Sequence, residues 1–390
     1  TNWYLNGTSI TVLNMPFEKN ATGTNTKDYS SFGYDGSNNG STWNATGGYD
    51  GFGAYEFDGT NDYVGLGDIL DSTFAGADKK FSFSLWTKPA SVMINNQFIE
   101  KLGDSNCAEN QREFNFRLGT DSKVVFIWAG DLAGTSLRGV NGSTSITDTS
   151  KWYHIVVTYD GSIDSNDGLD RVQIYVDGIS ESTSLSINSG ALGDIQDGTA
   201  HLGIGKHLDS SGSNCGTSKY YNGTIDEVQI FNRSLTPEQI TNLYNNRTDL
   251  ISFNETSVGD VWSADITPND GTEDGTTVIS GNVTIVAAAV NTAPVVDTVV
   301  LNATNVNNNT NQNLTLYFNS TDTDSDNVKN ITNWYLNSTS ITVLNMPFEE
   351  NGSALTKVHD YSSFDNTGTV IGATFNSTGG YDGFGAYEFD

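Results

Sequence analysis

Apolar and polar side chains alternate along most of the chain between residues 54 and 231. Alternation with a period of two places successive side chains on opposite faces of a β-strand. Most of the alternating segments end at Gly, Asp-Gly or Asn-Gly, which favour tight turns. The pattern predicts an all-β, two-sheet antiparallel sandwich built from Ala54–Phe57, Tyr63–Leu66, Phe81–Thr87, Gln97–Lys101, Glu113–Leu118, Lys123–Trp128, Trp152–Tyr159, Arg171–Val176, His201–Ile204 and Thr224–Phe231.

The segments before this region are shorter and less regular. Residues 1–13 predict a strand with a bend at Asn6-Gly7, and Leu13–Phe17 predicts a second strand. Pro16 restricts that second strand to a sheet edge or a strand end, because proline cannot donate to a ladder. The Gly-, Asn- and Ser-rich stretch Asp28–Gly53 predicts a covering loop.

A helix is predicted directly after the last strand. Thr236 is a suitable N-cap, Pro237 fits the first helical position, and Gln239 completes a capping box. The apolar face of this helix consists of Ile240, Leu243 and Tyr244.

One stretch of the chain occurs twice. Residues 1–18 (TNWYLNGTSITVLNMPFE) and 332–349 (TNWYLNSTSITVLNMPFE) differ at one position, and the match resumes through 47–58 and 379–390. Self-similarity at a fixed spacing is typical of repeat proteins, and the period here is about 331 residues. The sequence therefore predicts a tandem array in which residues 332–390 begin a second unit.

The composition changes the picture in two ways. There are 47 acidic and 18 basic residues, a net charge of −29, which argues against nucleic acid and anionic membranes as partners and favours cations. No apolar run is long enough to span a bilayer. Since 36% of residues are hydrophobic and aromatic residues are plentiful, the composition indicates β-rich secreted domains and predicts an extracellular or cell-surface location.

Four motifs carry a resemblance to a known fold family. In chain order they are Phe81–Pro89 (FSFSLWTKP), Trp152–Gly161 (WYHIVVTYDG), Val172–Gly178 (VQIYVDG) and Asn222–Ile240 (NGTIDEVQIFNRSLTPEQI). Together they resemble the laminin-G-like, concanavalin A-like lectin/glucanase superfamily over about residues 13–246. The resemblance implies a jelly-roll sandwich, a fold that serves lectins, adhesion modules, glycosidases and spacers.

The remaining chain resembles two halves of a prokaryotic surface immunoglobulin-like domain. Residues 259–275 (GDVWSADITPNDGTEDG) look like its second half, and residues 294–341 like its first half. The resemblance implies a jelly roll inserted into an Ig-like sandwich. The predicted organisation is 1–13 as an Ig-like strand, 14–246 as jelly roll, 247–290 and 291–344 as Ig-like halves, and 345–390 as the start of another jelly roll. Closure of one chain by circular permutation is the alternative.

Two kinds of modification are predicted. Cys107 and Cys215 both lie in Gly/Ser/Asn-rich loops, where a disulfide between them and two free thiols remain alternatives. N-glycosylation sequons occur about twice as often as composition alone would give. They predict attached N-glycans, densest around the Ig-like halves, at Asn6, Asn20, Asn39, Asn44, Asn141, Asn222, Asn232, Asn246, Asn254, Asn282, Asn302, Asn308, Asn313, Asn319, Asn330, Asn337, Asn351 and Asn376.

Acidic loops suggest structural Ca²⁺. Asp322, Asp324 and Asp326 place carboxylates at alternate positions, an oxygen-rich arrangement that suits Ca²⁺. In the Ig-like reading, Asp270 and Asp274 lie at the same end of that sandwich and share the ion. In the jelly roll, Asp226 on the last strand and Glu18 near the first are expected to meet at a second site, with Asp28 and Asp58 as further ligand candidates. Solvated acidic turns are the alternative.

Catalysis finds little support in the sequence. Glucanases that share the jelly roll use a strand with Glu-x-Asp-x-(x)-Glu, where two carboxylates act as nucleophile and acid/base. The nearest stretch, Thr224–Val228, lacks both flanking glutamates. We therefore predict a protein that is not an enzyme.

Binding of external glycans stays open at this stage. Asn115, Arg117 and Tyr175 carry the amide, guanidinium and aromatic groups that sugar sites use, while Trp128 and Tyr153 serve such a site or the core. The leading hypothesis is a structural subunit of a secreted, glycosylated fibre or extended tandem-repeat adhesin, with adjacent units or subunits as partners. The alternative is a lectin-like adhesion module, and a glycoside hydrolase is the least favoured.

Overall fold

The computed structural model describes residues 1–18, 25–91, 96–103, 111–208, 220–288, 290–349 and 357–389. The chain divides into two compact units, Thr1–Ala287 and Ala288–Asp390. Cys107, Cys215, Asn20 and Asn351 lie outside the described residues. The disulfide and two of the predicted glycosylation sites consequently stay predictions.

The first unit holds twenty-two strands and two α-helices among the described residues, in the chain order that follows. They are β1 Asn2–Leu5, β2 Thr8–Ser9, β3 Thr11–Met15, β4 Asn25–Thr26, β5 Gly36–Asn39, β6 Thr42–Asn44, β7 Ala54–Asp58, β8 Tyr63–Gly65, α1 Asp71–Phe74, β9 Lys80–Pro89, β10 Gln97–Gly103, β11 Gln111–Leu118, β12 Lys123–Ala129, β13 Leu137–Ser145, β14 Tyr153–Asp160, β15 Val172–Val176, β16 Ile179–Ser180, β17 Ser184–Ser189, β18 Leu202–Ile204, β19 Asn222–Phe231, α2 Pro237–Tyr244, β20 Val261–Ile266, β21 Val278–Ile279 and β22 Val283–Thr284.

Two large antiparallel sheets form the sandwich that the alternation predicts. One has the strand order β17-β13-β12-β11-β10-β18-β8-β5-β4, and the other β16-β15-β14-β9-β19-β7-β6, with β3 also paired to β19. We call them the nine-stranded and eight-stranded sheets. Their facing side chains form one aromatic-rich core that includes Phe83, Phe116, Phe126 and Trp128. Burial of each such side chain contributes about 1.5–3 kcal/mol, so this core is the main source of stability.

The loop predicted over Asp28–Gly53 is corrected by the structure. It contains β5 and β6, which add to the nine-stranded and eight-stranded sheets respectively. Both strands are polar and lie near sheet edges, so one face is solvated and no apolar alternation marks them. The first unit also uses β13 and β17, whose Gly, Asn and Ser content conceals their strand character.

Helix α2 packs on the outer face of the eight-stranded sheet. Thr236 is its N-cap, and the Thr236 hydroxyl oxygen accepts from the Gln239 backbone N–H at 3.3 Å. The capping box is only half formed, because the Gln239 side chain instead donates to the Leu250 carbonyl at 3.1 Å. The helix covers a small second core of Val156, Tyr175, Phe231, Leu235, Ile240 and Leu243.

A third sheet in the first unit joins the two ends of that unit. Its order is β2-β1-β20-β21, with β22 also paired to β20. Trp3 lies opposite Ala264, and the Trp3 indole N–H donates to the Thr248 carbonyl at 2.9 Å. Residues 1–9 and 249–285, which the sequence analysis assigns to one split Ig-like domain, therefore share a sheet.

The strands of the second unit are mostly exposed. They are β23 Val295–Ala303, β24 Leu314–Thr321, β25 Tyr335–Leu336, β26 Thr339–Ser340, β27 Lys357–Val358, β28 Gly368–Thr369, β29 Thr374–Asn376 and β30 Ala386–Glu388. Within the described residues they pair only as four hairpins, β23–β24, β25–β26, β27–β28 and β29–β30. Neither α-helix of the described chain is long and apolar enough to cross a membrane.

Candidate functional site

Three carboxylates converge on the outer face of the eight-stranded sheet, and we call them the carboxylate cluster. Glu18 follows β3, Asp50 lies in the loop between β6 and β7, and Glu227 projects from β19. One oxygen from each lies within 4.8 Å of the other two. β3 pairs antiparallel with β19, Met15 opposite Val228, and this pairing carries Glu18 to Glu227.

A local irregularity in β19 points Glu227 into the cluster. The β9–β19 register shifts between Asp226 and Gln229, and Glu227 adopts a left-handed backbone with φ 49°. Such a conformation is unfavourable for a non-glycine residue and often marks a functional position. Asp226, which the sequence analysis paired with Glu18, is fully buried beneath and accepts the Tyr49 and Glu227 backbone N–H groups, both at 2.9 Å.

A Gly-rich loop, residues 47–53, wraps around these carboxylates. Glu18 accepts the Gly53 N–H at 2.9 Å, and Asp50 accepts the Phe52 N–H at 2.9 Å. A Cβ at Gly48 would lie 2.7 Å from Asp226 Oδ2, and a Cβ at Gly53 would overlap the Phe17 carbonyl oxygen. The loop therefore reaches the carboxylates only because these positions are glycine.

Burial and mutual repulsion shift the protonation of the cluster. Burial raises the pKa of Glu18, the Gly53 N–H lowers it, and the neighbouring Asp50 raises it. The net pKa of Glu18 is about 7. Burial and then the charges of Glu18 and Asp50 also raise the pKa of Glu227. The pKa of Asp226 is raised as well, by burial and then by the charge of Glu227. These carboxylates lack enough compensating positive charge, which is the condition under which a divalent cation binds.

The cluster borders a polar cavity of about 300 Å³. The other lining residues include the Asp265 carboxylate and the amide and hydroxyl groups of Asn14, Gln229, Asn246, Thr248 and Asn269. Carbonyl and amide oxygens are further ligands that Ca²⁺ accepts, so the donor set fits a hard cation.

The second unit repeats part of this arrangement. Glu349 and Asp382 correspond to Glu18 and Asp50, and Glu349 accepts the Gly385 N–H at 2.9 Å. There Lys329 places its ammonium against Asp382 and 3.9 Å from Glu349. In this copy the two equivalent carboxylates, Glu349 and Asp382, both lie beside the Lys329 ammonium.

The other predicted metal residues have different surroundings. Asp322, Asp324 and Asp326 do group together in a turn after β24, with oxygens within 4.8 Å of one another. Asp274 instead pairs with Lys27 and accepts the Tyr29 hydroxyl, both at 2.6 Å. Burial raises the pKa of Asp274, but hydrogen bonds from Lys27, Tyr29 and Asn269 outweigh it and bring that pKa to about 2. The negative charge of the Asp274 carboxylate is thus already balanced by the Lys27 ammonium.

Asp270, Asp28 and Asp58 accept hydrogen bonds from backbone N–H groups. Asp270 Oδ1 accepts from Thr272 and Glu273, and Asp58 Oδ1 from Thr60. Asp28 accepts three backbone N–H groups and the Ser30 hydroxyl. In the described chain none of these three aspartates joins a group with metal-binding geometry.

A separate groove lies on the outer face of the nine-stranded sheet, and we call it the outer groove. Its volume is about 210 Å³, and its lining is Leu102, Arg112, Asn115, Arg117, Ile127, Leu137 and Ile187. Phe114, Phe116 and Leu118 of β11 point into the core, so Asn115 and Arg117 project from the opposite face. The structure therefore brings together two of the three predicted glycan-binding residues.

Asn115 in the lining of the outer groove belongs to a buried amide pair. Asn115 is 6% exposed and donates from Nδ2 to Gln97 Oε1 at 3.0 Å. Asn115 Oδ1 and Gln97 Nε2 are buried, and neither has a hydrogen-bond partner among the residues that the structure describes. Exchanging nitrogen and oxygen in both amides leaves the same imbalance, one donor and one acceptor unpaired. A buried unpaired polar group costs about 1–3 kcal/mol, so such a pair indicates a missing partner.

The remaining predicted binding residues do not reach the outer groove. Tyr175 lies on β15 of the other sheet, in the small core beneath α2. Trp128 and Tyr153 belong to the main core. Alternation places aromatic side chains on one face of a strand but does not reveal which sheet face is covered.

Among the described residues, every asparagine predicted to carry a glycan is at least partly exposed. Glycosylation at these positions accordingly stays a prediction.

Comparison with known proteins supports the fold. The family model of the concanavalin A-like lectin/glucanases superfamily matches residues 58–241. No curated protein matches the sequence. This part of the chain therefore has the concanavalin A-like jelly-roll fold predicted from its four motifs.

Solved structures resemble the chain more distantly. The binding domain of botulinum neurotoxin serotype G has a TM-score of 0.42 and 16% identity, over 61% of this chain and 51% of that one. The binding domain of Paraclostridial Mosquitocidal Protein 1 has a TM-score of 0.44 and 14% identity, over 60% and 52%. Domain 4 of AbnA, an extracellular GH43 arabinanase from Geobacillus stearothermophilus, was solved with arabinotriose. It has a TM-score of 0.40 and 19% identity, over 60% of this chain and 98% of that one. The chain spans about half the length of the two toxin domains.

Proposed function

We propose that the jelly roll is a carbohydrate-binding module whose ligand occupies the outer groove. The buried Asn115–Gln97 amide pair carries this proposal, because it offers one unpaired donor and one unpaired acceptor. A sugar hydroxyl is both a donor and an acceptor, so one hydroxyl satisfies the pair. Aliphatic side chains of Ile127 and Ile187 beside the amides suit the apolar face of a sugar ring.

The test is a glycan array with the full chain, followed by titration of any glycan it selects. Replacing Asn115 with Ala removes the unpaired acceptor and separates Gln97 from its amide partner, and affinity should fall at least about tenfold. Asn188→Ala is the matched control, since Asn188 is exposed on β17 of the same sheet. Ile187→Arg, which fills the groove without touching the amides, should also abolish binding. An array without hits, or binding unaffected by both groove variants, would refute the proposal.

We further propose that the carboxylate cluster holds a structural Ca²⁺ that fixes the Gly-rich loop against β19. The supporting observations are the shared 4.8 Å geometry and the ammonium held by the equivalent carboxylates of the second unit. Calorimetric titration of the full chain with Ca²⁺ tests it. Glu227→Gln should weaken binding at least about tenfold, since it removes one charged ligand.

Two control variants separate this site from others. Glu238→Gln changes an exposed acid at the start of α2 and should leave Ca²⁺ affinity unchanged. Asp324→Asn tests the acidic turn after β24 as an independent second site. Calcium affinity that responds to Asp324→Asn but not to Glu227→Gln would move the ion to that turn.

A second candidate function is structural. We propose a secreted, N-glycosylated tandem-repeat fibre or adhesin in which Ig-like domains split between units link successive jelly rolls. The specific observation in its favour is the repeated segment together with the shared sheet of β1 and β20. Electron microscopy of native material should show extended fibres, and compact single particles would contradict the proposal.

A further inference from the structure

The repeated segment keeps several of its local hydrogen bonds in the second unit, although residues 342–346, the counterpart of β3, do not form a strand there. Asn345 N–H donates to Asp360 at 2.8 Å, as Asn14 does to Asp28 in the first unit. Three further hydrogen bonds of the second unit have counterparts in the first. Ser340 donates to Asn333 as Ser9 does to Asn2. Gly385 donates to Glu349 as Gly53 does to Glu18, and Asn376 donates to Glu388 as Asn44 does to Glu56. These hydrogen bonds are therefore formed without the strands that cover the first copy.

The two copies differ in what surrounds their apolar side chains. Ile10, Val12 and Leu13 are 4%, 3% and 0% exposed in the first copy. Their counterparts Ile341, Val343 and Leu344 are 63%, 66% and 52% exposed. The same three apolar side chains are thus buried in the first unit and exposed in the second.

The first unit shows what covers this surface. Leu13 and Met15 lie opposite Ile230 and Val228 of β19. Trp3 lies opposite Ala264 of β20, and the Asn232 N–H donates to the Ile10 carbonyl at 3.0 Å. Strands β19 and β20 of this chain are already paired with residues 2–15, so residues 333–346 need another source of the same strands.

Building on the proposed tandem repeat, we propose that residues 333–346 are a docking surface for β19 and β20 of a second copy of residues 59–288, in which those strands are not already covered. The expected register follows from the first unit, with Leu344 opposite Ile230 and Trp334 opposite Ala264 of that copy. The partner would supply, in addition, the Glu227 carboxylate that the second unit lacks beside Glu349 and Asp382. This inference is independent of glycan binding, because it concerns neither the outer groove nor its ligand.

Hydrogen–deuterium exchange tests the docking. The full chain is compared with an extended protein in which residues 59–288 are repeated after Asp390. In the full chain, amides of residues 342–346 should exchange rapidly while those of 11–15 exchange slowly. In the extended protein, protection of residues 342–346 should rise at least about a hundredfold and approach that of 11–15.

A matched extended protein carries Val343→Asp and Leu344→Asp, at two positions whose side chains are exposed in the second unit. These changes place charges in the proposed interface, so residues 342–346 should remain rapidly exchanging. The inference would be overturned if residues 342–346 stay unprotected in the unmodified extended protein while the added jelly roll is itself protected. It would also be overturned if the aspartate variant protects them equally. The result of the glycan array does not depend on the outcome of this exchange experiment, so the two proposals can fail separately.

Discussion

At the scale of single residues, Lys101 is fully buried within a group of carboxylates. Its ammonium lies 2.8 Å from Asp68 and 2.8 Å from Glu113, and it also pairs with Asp71. The three acids lie within 4.8 Å of one another, a geometry that would otherwise suit a metal. Here the lysine supplies the positive charge and ties α1 to the nine-stranded sheet.

We expect Lys101→Met to destabilise the first unit by about 3–5 kcal/mol, because it leaves a buried carboxylate without its counter-charge. Urea unfolding followed by tryptophan fluorescence measures the change. Lys80→Met is the matched control, since Lys80 is half-exposed and pairs only with Asp160 on the surface. That control should cost about 0–1 kcal/mol, and equal losses in the two variants would contradict the role of burial.

His154 predicts how stability responds to acid. Its ring packs against Trp86, its Nε2 lies 3.0 Å from the Ser84 hydroxyl, and burial lowers the pKa of His154 to about 3. The unfolded chain takes up a proton near pH 6.5 and the folded chain does not, so stability falls as the pH decreases from about 6.5 to 3.

Replacing His154 with Asn should remove this part of the acid sensitivity. The difference in unfolding free energy between pH 7 and pH 4.5 should become smaller in the variant than in the parent chain. His201→Asn, at a partly exposed position, serves as the control. An unchanged pH dependence in His154→Asn would show that the acid sensitivity has another origin.

At the scale of elements, the Gly-rich loop gives a test in which the chain provides its own control. Gly53 in the first unit and Gly385 in the second both face a carbonyl oxygen, of Phe17 and Phe348 respectively. We expect Gly53→Ala to destabilise the first unit by about 1–3 kcal/mol through steric overlap. Gly385→Ala should leave the unfolding of the first unit unchanged, and an equal effect would show that the two units unfold together.

The fold could be predicted largely because its inner strands alternate clearly. Strands such as β9, β14 and β19 lie within a sheet and carry long apolar patterns, so their prediction succeeded to within a few residues. β13 and β17 could not be predicted, because Gly, Asn, Ser and Thr occupy most of their positions. A strand that buries only one or two large side chains leaves no periodic signal.

The candidate sites were harder to predict for a related reason. Glu18 was found because the first and last strands of a jelly roll are expected to pair. Glu227 was missed in favour of Asp226, since only the irregular register of β19 and a positive φ bring Glu227 to the cluster. Asp50 was missed in its loop, although the recurrence of GGYDGFG in both copies was a usable signal.

At the scale of the whole molecule, a large negative charge accompanies exposed apolar strands in the second unit. The net charge is −29 at pH 7 and the sequence pI is about 4.1. Val299 and Phe318 lie opposite each other on β23 and β24, and both are exposed. Mutual repulsion between chains opposes association through this hairpin at neutral pH.

We therefore expect the chain to remain monomeric at pH 7 and to associate as the pH approaches 4, where the repulsion disappears. Static light scattering across this range measures the change in mass. A Val299→Ser, Phe318→Ser double variant should associate less, because the cross-strand apolar pair is gone. Ile179→Ser, at an exposed apolar residue of the first unit, should behave like the parent chain. If the double variant associates as readily as the parent, neutralisation alone drives association and the hairpin takes no part in it.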